Sequence, residues 1–342
     1  MVYYDFVARG WHNIPNYELY PQMLDLHETI AAIRSGEKVK ETPINDVWLE
    51  VMESPKSVCT QKRTDTNMDL IVFVKTCSAC FENRRKIRET YKQTHLWRNF
   101  KIEFIFVLGV PPSHQSDYYE FDGVRVPKYA PESSSLADSV EVSIGIFNEN
   151  FVYQDMLIGS FEDTYYNLTK KMIFTLRWAT IFCKRLTPLF MFIDDDRTLI
   201  PDKLVRLVKL IPPGMKRNFV GGQLLNVHVL RQSRWLSRRL SRWMISEDEF
   251  PWKYFPPYPN GVGYFLGADI TADLSIAMAF VKELRVDDAY LGITLMKLHR
   301  LSFLVPQITD RIDWYVDRNK VAVLPSFFSN AINWTSGRLR HA

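Results

Sequence analysis

From about residue 69 onward, short apolar runs alternate with charged stretches that have helical periodicity. LIVFVK at 70–75 and IEFIFVLG at 102–109 have the length and composition of strands, and the charged segment from Asn83 between them predicts a helix. Leu168, Met172, Leu176, Ala179 and Phe182 recur at spacings of four, four, three and three, the stripe of a helix with one buried face; Asp163 and Thr164 precede it as candidate caps. LFMFI at 189–193 is a continuous apolar run, as in a central buried strand, and it stops abruptly at Asp194, Asp195 and Asp196. A helix over 202–211, a strand over 219–229, a Gly/Pro-rich loop over 256–267 and helices near 270–284 and 288–300 complete the pattern. Alternation of this kind predicts an α/β fold with a mostly parallel sheet. Residues 1–67 lack sustained periodicity and end in SPKSVCTQKRTDTN, so they read as a stem and linker; 68–335 form one domain and 336–342 a tail.

Composition narrows the function. Of 342 residues, 46% are hydrophobic, enough for a large core, and the net charge of +4 gives no strong field for nucleic acid. Aromatics at 14% suit either an aromatic core or sugar-stacking surfaces. The four cysteines (Cys59, Cys77, Cys80, Cys183) are too few for a disulfide framework, and one CxxC without a second ligand pair argues against zinc. No window has the ~18 apolar residues that cross a bilayer, and the first residues lack the pattern of a signal peptide. The sequence as written therefore predicts a soluble protein, either cytoplasmic or lacking an N-terminal anchor.

The chemistry lies in acidic clusters. Ligands of open α/β sheets collect at the carboxyl ends of strands, where Asp194, Asp195 and Asp196 fall. In extended chain Asp194 and Asp196 face one side, and a hard cation such as Mn²⁺ or Mg²⁺ would relieve their repulsion; a solvated turn or helix cap has the same sequence appearance. There is no GxGxxG after the first strand and no GxxxxGK[ST], so a nucleotide diphosphate would need a metal and basic side chains. GxSxG and HExxH are absent as well, which removes support for serine hydrolases and zinc peptidases. VDDAYLG at 286–292 opens a helix, where a carboxylate can serve as general base or simply cap the helix. FPPYPNGVGYF at 255–265 joins prolines, glycines and aromatics in a ligand-compatible loop.

These features, with further segments in the same order, resemble the β-1,3-galactosyltransferase and β-1,3-N-acetylglucosaminyltransferase family of inverting glycosyltransferases over about 68–334. NRRKIRETY at 83–91 is similar to the family's RxxIRxTW, with Arg85 and Arg88 on its arginines and Tyr91 in place of tryptophan. ENFVYQDMLIGSFEDTYYNLTKK at 149–171 resembles its longest signature, FIDDD at 192–196 its metal motif, and EDEFPWKYFPPYPNGVGYFLG at 247–267 its acceptor-site segment; VDDAYLG matches EDVYLG. The resemblance implies a GT-A catalytic domain, a UDP-sugar donor, Mn²⁺ or Mg²⁺, and inversion. It implies Asp288 as catalytic base and Asp196 with Asp194 as metal ligands. Arg85, Arg88, Asp194 and Asp195 would contact the nucleotide-sugar, and Tyr258, Gly261, Gly263, Tyr264 and Asp287 would form the donor and acceptor loop. The implied activity is galactose transfer from UDP-galactose in β-1,3 linkage to a glycoprotein or glycolipid glycan. The alternatives are N-acetylglucosamine transfer and a catalytically silent carbohydrate-binding relative. No nucleic-acid partner is implied, and the implied location is the Golgi lumen, membrane-attached through an anchor outside this sequence.

Some positions depart from the family pattern. Phe192 stands where a lysine is common, Arg197 follows the aspartates, and Asp287 replaces a glutamate; Leu324 and Pro325 occupy the place of a His-Gln pair. Arg231, Arg234, Arg238, Arg239 and Arg242, interleaved with Trp235 and Trp243, read as a solvated surface segment. Asn167 and Asn333 lie in sequons; Asn167 sits in the structural signature and is not expected to carry a glycan.

Overall fold

A computed structural model describes residues 24–46, 48, 50–56, 58–59, 67–91, 93–112, 118–121, 124–127, 136–225, 227–231, 243–300, 303–304 and 309–311. The helices are α1 (Leu26–Ser35), α2 (Phe81–Tyr91), α3 (Leu136–Tyr153), α4 (Leu168–Trp178), α5 (Pro201–Leu210), the single turn α6 (Pro213–Lys216), α7 (Ala268–Ala277) and α8 (Asp287–Lys297). The strands that position the site are β1 (Val51–Glu53), β2 (Leu70–Lys75), β3 (Ile102–Val110), β6 (Met156–Glu162), β7 (Leu189–Asp194), β9 (Val220–Leu225), β10 (Tyr258–Gly267) and β11 (Phe303–Leu304). The outlying β4 (Tyr118–Phe121) pairs with β5 (Val124–Pro127), and β8 (Arg197–Leu199) with β12 (Thr309–Arg311).

The main sheet has the order β1-β6-β3-β2-β7-β10-β9-β11. β6, β3, β2 and β7 run parallel, as do β9 and β11, whereas β1 and β10 are antiparallel to their neighbours. This is the α/β architecture that the alternation predicts. β2 and β7 read as unbroken apolar runs because both faces of the sheet are covered. Ile71, Phe73, Phe190 and Phe192 enter a core with α4, α7 and α8; Leu70, Val72, Val74, Met191 and Ile193 enter a second with α2, α3 and α5. The chain leaves β2 for β3 and β6 on one side, then crosses back to place β7 on the other. In sheets of this kind ligands bind in the crevice at the switch point, which falls here at the carboxyl ends of β2 and β7, where Lys75 and Asp194 are register partners.

Several local expectations are corrected. Of the segment 256–267, Tyr258–Gly267 form a strand, β10, paired with both β7 and β9; its ladder to β9 is irregular between Pro259 and Tyr264, the stretch that holds Gly261 and Gly263. The helical stripe ends early: α4 gives way to a π turn at Ala179–Cys183, which leaves Phe182 39% exposed and buries Cys183 in its place. Asp163 and Thr164 do not cap it. Asp163 instead pairs with Lys171 (2.6 Å) and accepts from the Gly109 amide.

The stretch read as a stem is also partly built into the domain. α1 buries Leu26 and Ile30, β1 joins the main sheet, and Asn45 Nδ2 donates to the carbonyls of Met278 and Val281 (2.6 Å each). A disulfide joins Cys59 to Cys183 and another joins Cys77 to Cys80, so all four cysteines are paired. The elements in 24–59 are too short, and too dependent on the rest of the domain, to give a periodic signal of their own. Among the described residues no helix is long and apolar enough to cross a membrane.

Candidate active site

Lys75 ends the apolar strand β2 and is the hub of the crevice. Its Nζ lies 3.0 Å from Asp194 Oδ1 and 3.2 Å from Asp287 Oδ2, and it donates to the Gly261 carbonyl at 3.0 Å. Burial opposes the charge on this amine, but Asp194 and Asp287 outweigh that cost and hold its pKa well above the usual lysine value. One ammonium thus ties together the end of β7, the first turn of α8 and the middle of β10. Sequence reasoning missed it; the signal was a single cation closing an otherwise apolar strand.

The three aspartates have different partners. Asp194 is joined to Lys75; desolvation pushes its carboxyl pKa up, opposed by Lys75 and reinforced by Asp287 and Asp196. Asp195 lies on the turn after β7 and turns toward the loop between β2 and α2, where it accepts from Thr76 Oγ1 at 2.6 Å and from Asn83. Burial raises its pKa too, against those hydrogen bonds. Asp196 is 57% exposed and lies 3.1 Å from Arg197 Nε.

Mg²⁺-type sites hold their ion through one or two carboxylates plus substrate phosphates. Asp196 and the second oxygen of Asp194 are hard, solvent-accessible oxygen donors that fit that mode. Among the described residues no three His, Cys, Asp or Glu side chains form a metal cage. Phe192, where the resembling family often has a lysine, is a core residue stacked on Tyr264 and Phe73 at 5.1 and 5.3 Å. The cation beside Asp194 comes from β2 instead.

Asp288 stands in the first turn of α8, beside the Asp287 that pairs with Lys75. Its Oδ2 accepts from the Gly261 amide at 3.0 Å and its Oδ1 from the Ala289 amide at 2.9 Å. Gly261 therefore touches both sides of the site, its amide on Asp288 and its carbonyl on Lys75, and a β-carbon there would lie 3.2 Å from Asp288 Oδ2. Burial first, then Asp287, pushes the Asp288 carboxyl up to about 7, while the Gly261 amide, Lys75 and the Ala289 amide pull it down. A carboxyl tuned near neutrality, at the rim of a crevice, is equipped to accept a proton. α8 sits close enough for this because Gly292 has no side chain: a β-carbon there would meet Tyr258 Cβ at 2.4 Å. Behind the helix start, Arg285 is buried against Glu249 (3.0 Å), which fixes the approach to Asp287 and Asp288.

Other site expectations are corrected. Arg85 is 51% exposed and paired along the outer face of α2 with Glu82 and Glu89, away from the aspartates. Arg88 is buried against Asp155 (2.8 Å) and Glu149. Arg88 is thus committed to buried carboxylates, and Arg85 to surface carboxylates of its own helix. Their neighbour Arg84, unremarked in the sequence, is fully buried; it pairs with Glu149 and donates to the carbonyls of Cys77 and Ser78. The long signature at 149–171 thus supplies the carboxylates Glu149, Asp155 and Asp163 that neutralise Arg84, Arg88 and Lys171.

Tyr258 and Tyr264 are buried, so they cannot stack on a sugar; Gly263 is a ladder residue opposite Ile193, and Asp287 belongs to Lys75. Arg231 donates four hydrogen bonds to backbone carbonyls of Ile245, Ser246, Phe250 and Trp252, a structural role. Asn167 is buried with its amide on the Glu162 carbonyl, which excludes a glycan there. Arg234, Trp235, Arg238, Arg239, Arg242, Leu324, Pro325 and Asn333 lie outside the described residues.

Residues 137–301 match the galactosyltransferase family model. Mouse β-1,3-galactosyltransferase 1 is 26% identical over 263 residues, 76% of this chain and 68% of its own, and the human protein of that name matches equally. Pig UDP-GalNAc:β-1,3-N-acetylgalactosaminyltransferase 1 is 28% identical over 244 residues, 71% of this chain and 64% of its own. Over residues 137–301 the chain is therefore similar to the galactosyltransferase family. The match takes in α3, β6, α4, β7, β9, β10 and α8, hence both the strand-end aspartates and Asp288. Among solved structures, apo mouse xyloside xylosyltransferase 1 aligns with 70% of this chain and 85% of its own, at 11% identity and a TM-score of 0.26.

Proposed function

We propose that this protein is an inverting β-1,3-hexosyltransferase that uses a UDP-sugar donor, with Asp288 as the base. The observation that carries the reading is the linkage of the strand-end Asp194 to Asp288 through Lys75 and Gly261, with the Asp288 carboxyl pushed up to about 7 by burial. The acceptor hydroxyl oxygen attacks C1 of the hexose, and the bond from C1 to the UDP oxygen breaks. Asp288 takes the hydroxyl proton, and UDP leaves with the electron pair of the broken bond. Attack from the face opposite UDP inverts the anomeric carbon, which requires the base on the side of the sugar away from the nucleotide.

Asp195, fixed by Thr76 and Asn83, is suited to accept hydrogen bonds from the uridine ribose. A divalent cation, Mn²⁺ or Mg²⁺, held by Asp196 and Asp194, would neutralise charge developing on the leaving diphosphate. Galactose is the donor we favour; the galactosyl and N-acetylgalactosaminyl names of the relatives support a hexose of the galacto series. A glycan on glycoprotein or glycolipid is the acceptor. Two disulfides, one of them buried, support folding in an oxidising compartment and hence the Golgi lumen.

UDP release from UDP-galactose in the presence of a β-linked glycan acceptor should require Mn²⁺ or Mg²⁺. EDTA should abolish it and either ion restore it. Unchanged turnover in EDTA would remove the metal from the account, and UDP binding without transfer from any donor would favour a silent relative.

A further inference from the structure

The loop joining β2 to α2, Thr76 to Cys80, is closed by the Cys77–Cys80 disulfide, which the transfer chemistry does not use. Its carbonyls are gripped by two buried cations. Lys171 Nζ donates to Thr76 O at 2.6 Å; Arg84 donates to Cys77 O at 2.6 Å and to Ser78 O at 3.2 Å. Each cation is neutralised by a carboxylate of the long signature, Asp163 for Lys171 and Glu149 for Arg84. On the crevice side the same loop presents Thr76 Oγ1 to Asp195, and Asn83, three residues past Cys80, bonds Asp195 as well. Asp195 is therefore positioned by a short backbone segment whose shape depends on a covalent cross-link.

We propose that the Cys77–Cys80 disulfide is a positioning element for the donor side of the site. It sets the three gripped carbonyls at the spacing that Lys171 and Arg84 require, and so fixes Thr76 and Asn83 on Asp195. This rests on the reading that Asp195 contacts the nucleotide-sugar. The device is also redox-sensitive. Cys77 and Cys80 are partly accessible, whereas Cys59 and Cys183 are buried, so a dithiol reductant reaches the loop bond first. In that step the sulfur–sulfur bond accepts two electrons and two protons, two thiols form in the loop, and the reductant closes its own disulfide.

The test compares the Cys77→Ser/Cys80→Ser variant with wild type that is oxidised, dithiothreitol-reduced, or reduced and re-oxidised, with bond status read by alkylation and mass spectrometry. Losing charge-assisted hydrogen bonds of this kind predicts a rise of about tenfold in donor KM and in the Kd of UDP, measured with Mn²⁺, with kcat within about twofold. Melting should stay cooperative, and re-oxidation should restore the wild-type KM. An unchanged KM and Kd in the double-serine variant overturns the proposal, as does a parallel fall of kcat with loss of cooperative melting, the mark of a merely structural bond. If oxidised wild type transfers no sugar yet binds UDP, the transferase reading fails while the Kd comparison still decides the clamp. Absence of UDP binding by oxidised wild type overturns both.

Discussion

Replacing Asp288 by asparagine is expected to lower kcat by about 10²–10⁴-fold, the usual contribution of a general base, while UDP binding changes little. Asparagine keeps an oxygen to accept the Gly261 amide but cannot take a proton. In the wild type, kcat/KM should fall about tenfold per unit as pH drops below about 7, because burial and Asp287 raise the carboxyl to that value and a base must be ionised to act. The stability sign runs the other way. A carboxyl whose folded pKa lies above its unfolded value of about 3.9 favours folding in its protonated form; that contribution is complete below the unfolded pKa and lost as pH rises through about 7. Asp288→Asn imitates the protonated form, so it should melt at the wild-type temperature or above at pH 8, with the difference shrinking toward pH 4. A variant that loses activity because it unfolds would contradict this assignment.

Lys75→Met should have the largest effect on stability. It leaves the buried Asp287 and the partly exposed Asp194 without their shared cation; removing one partner of a buried ion pair costs about 3–5 kcal/mol, and solvent screening of Asp194 places the loss at the lower end. Denaturant unfolding would read the loss as a lower midpoint. Adding Asp287→Asn should recover part of it, because the second substitution removes one of the stranded charges; additive losses would mean that the two groups do not act as a pair. Turnover should fall with either substitution, since Lys75 also holds the Gly261 carbonyl whose amide orients Asp288.

Much of the architecture was legible because it rests on long apolar runs. LIVFVK and LFMFI announced two central strands, and the break at Asp194 located the carboxyl end of the sheet where the crevice lies. Motif order brought Asp288 to notice although its local sequence is equally that of a helix cap. The buried polar framework was less legible. Arg84 and Arg85 are adjacent and identical in type, yet one is sealed in the interior and the other is half-exposed on the surface; the difference depends on Glu149, 65 residues away, approaching one face of α2. Tyr264 looked like a sugar platform because a Gly/Pro-rich segment suggests an open loop, but pairing of β10 on both edges puts its ring against Phe192. Lys75 was missed for a related reason. Its partners come from β7, β10 and α8, and no local pattern on β2 records them.

The central claim, that the crevice transfers a hexose with inversion using Asp288, is tested most directly by incubating the purified protein with UDP-galactose, Mn²⁺ and a panel of β-linked glycan acceptors, beside Asp288→Asn, and analysing the product by NMR. The account predicts a new β-1,3-linked hexose from the wild type and a product yield lower by orders of magnitude from the variant. An α-linked product, or equal product from both proteins, would contradict it.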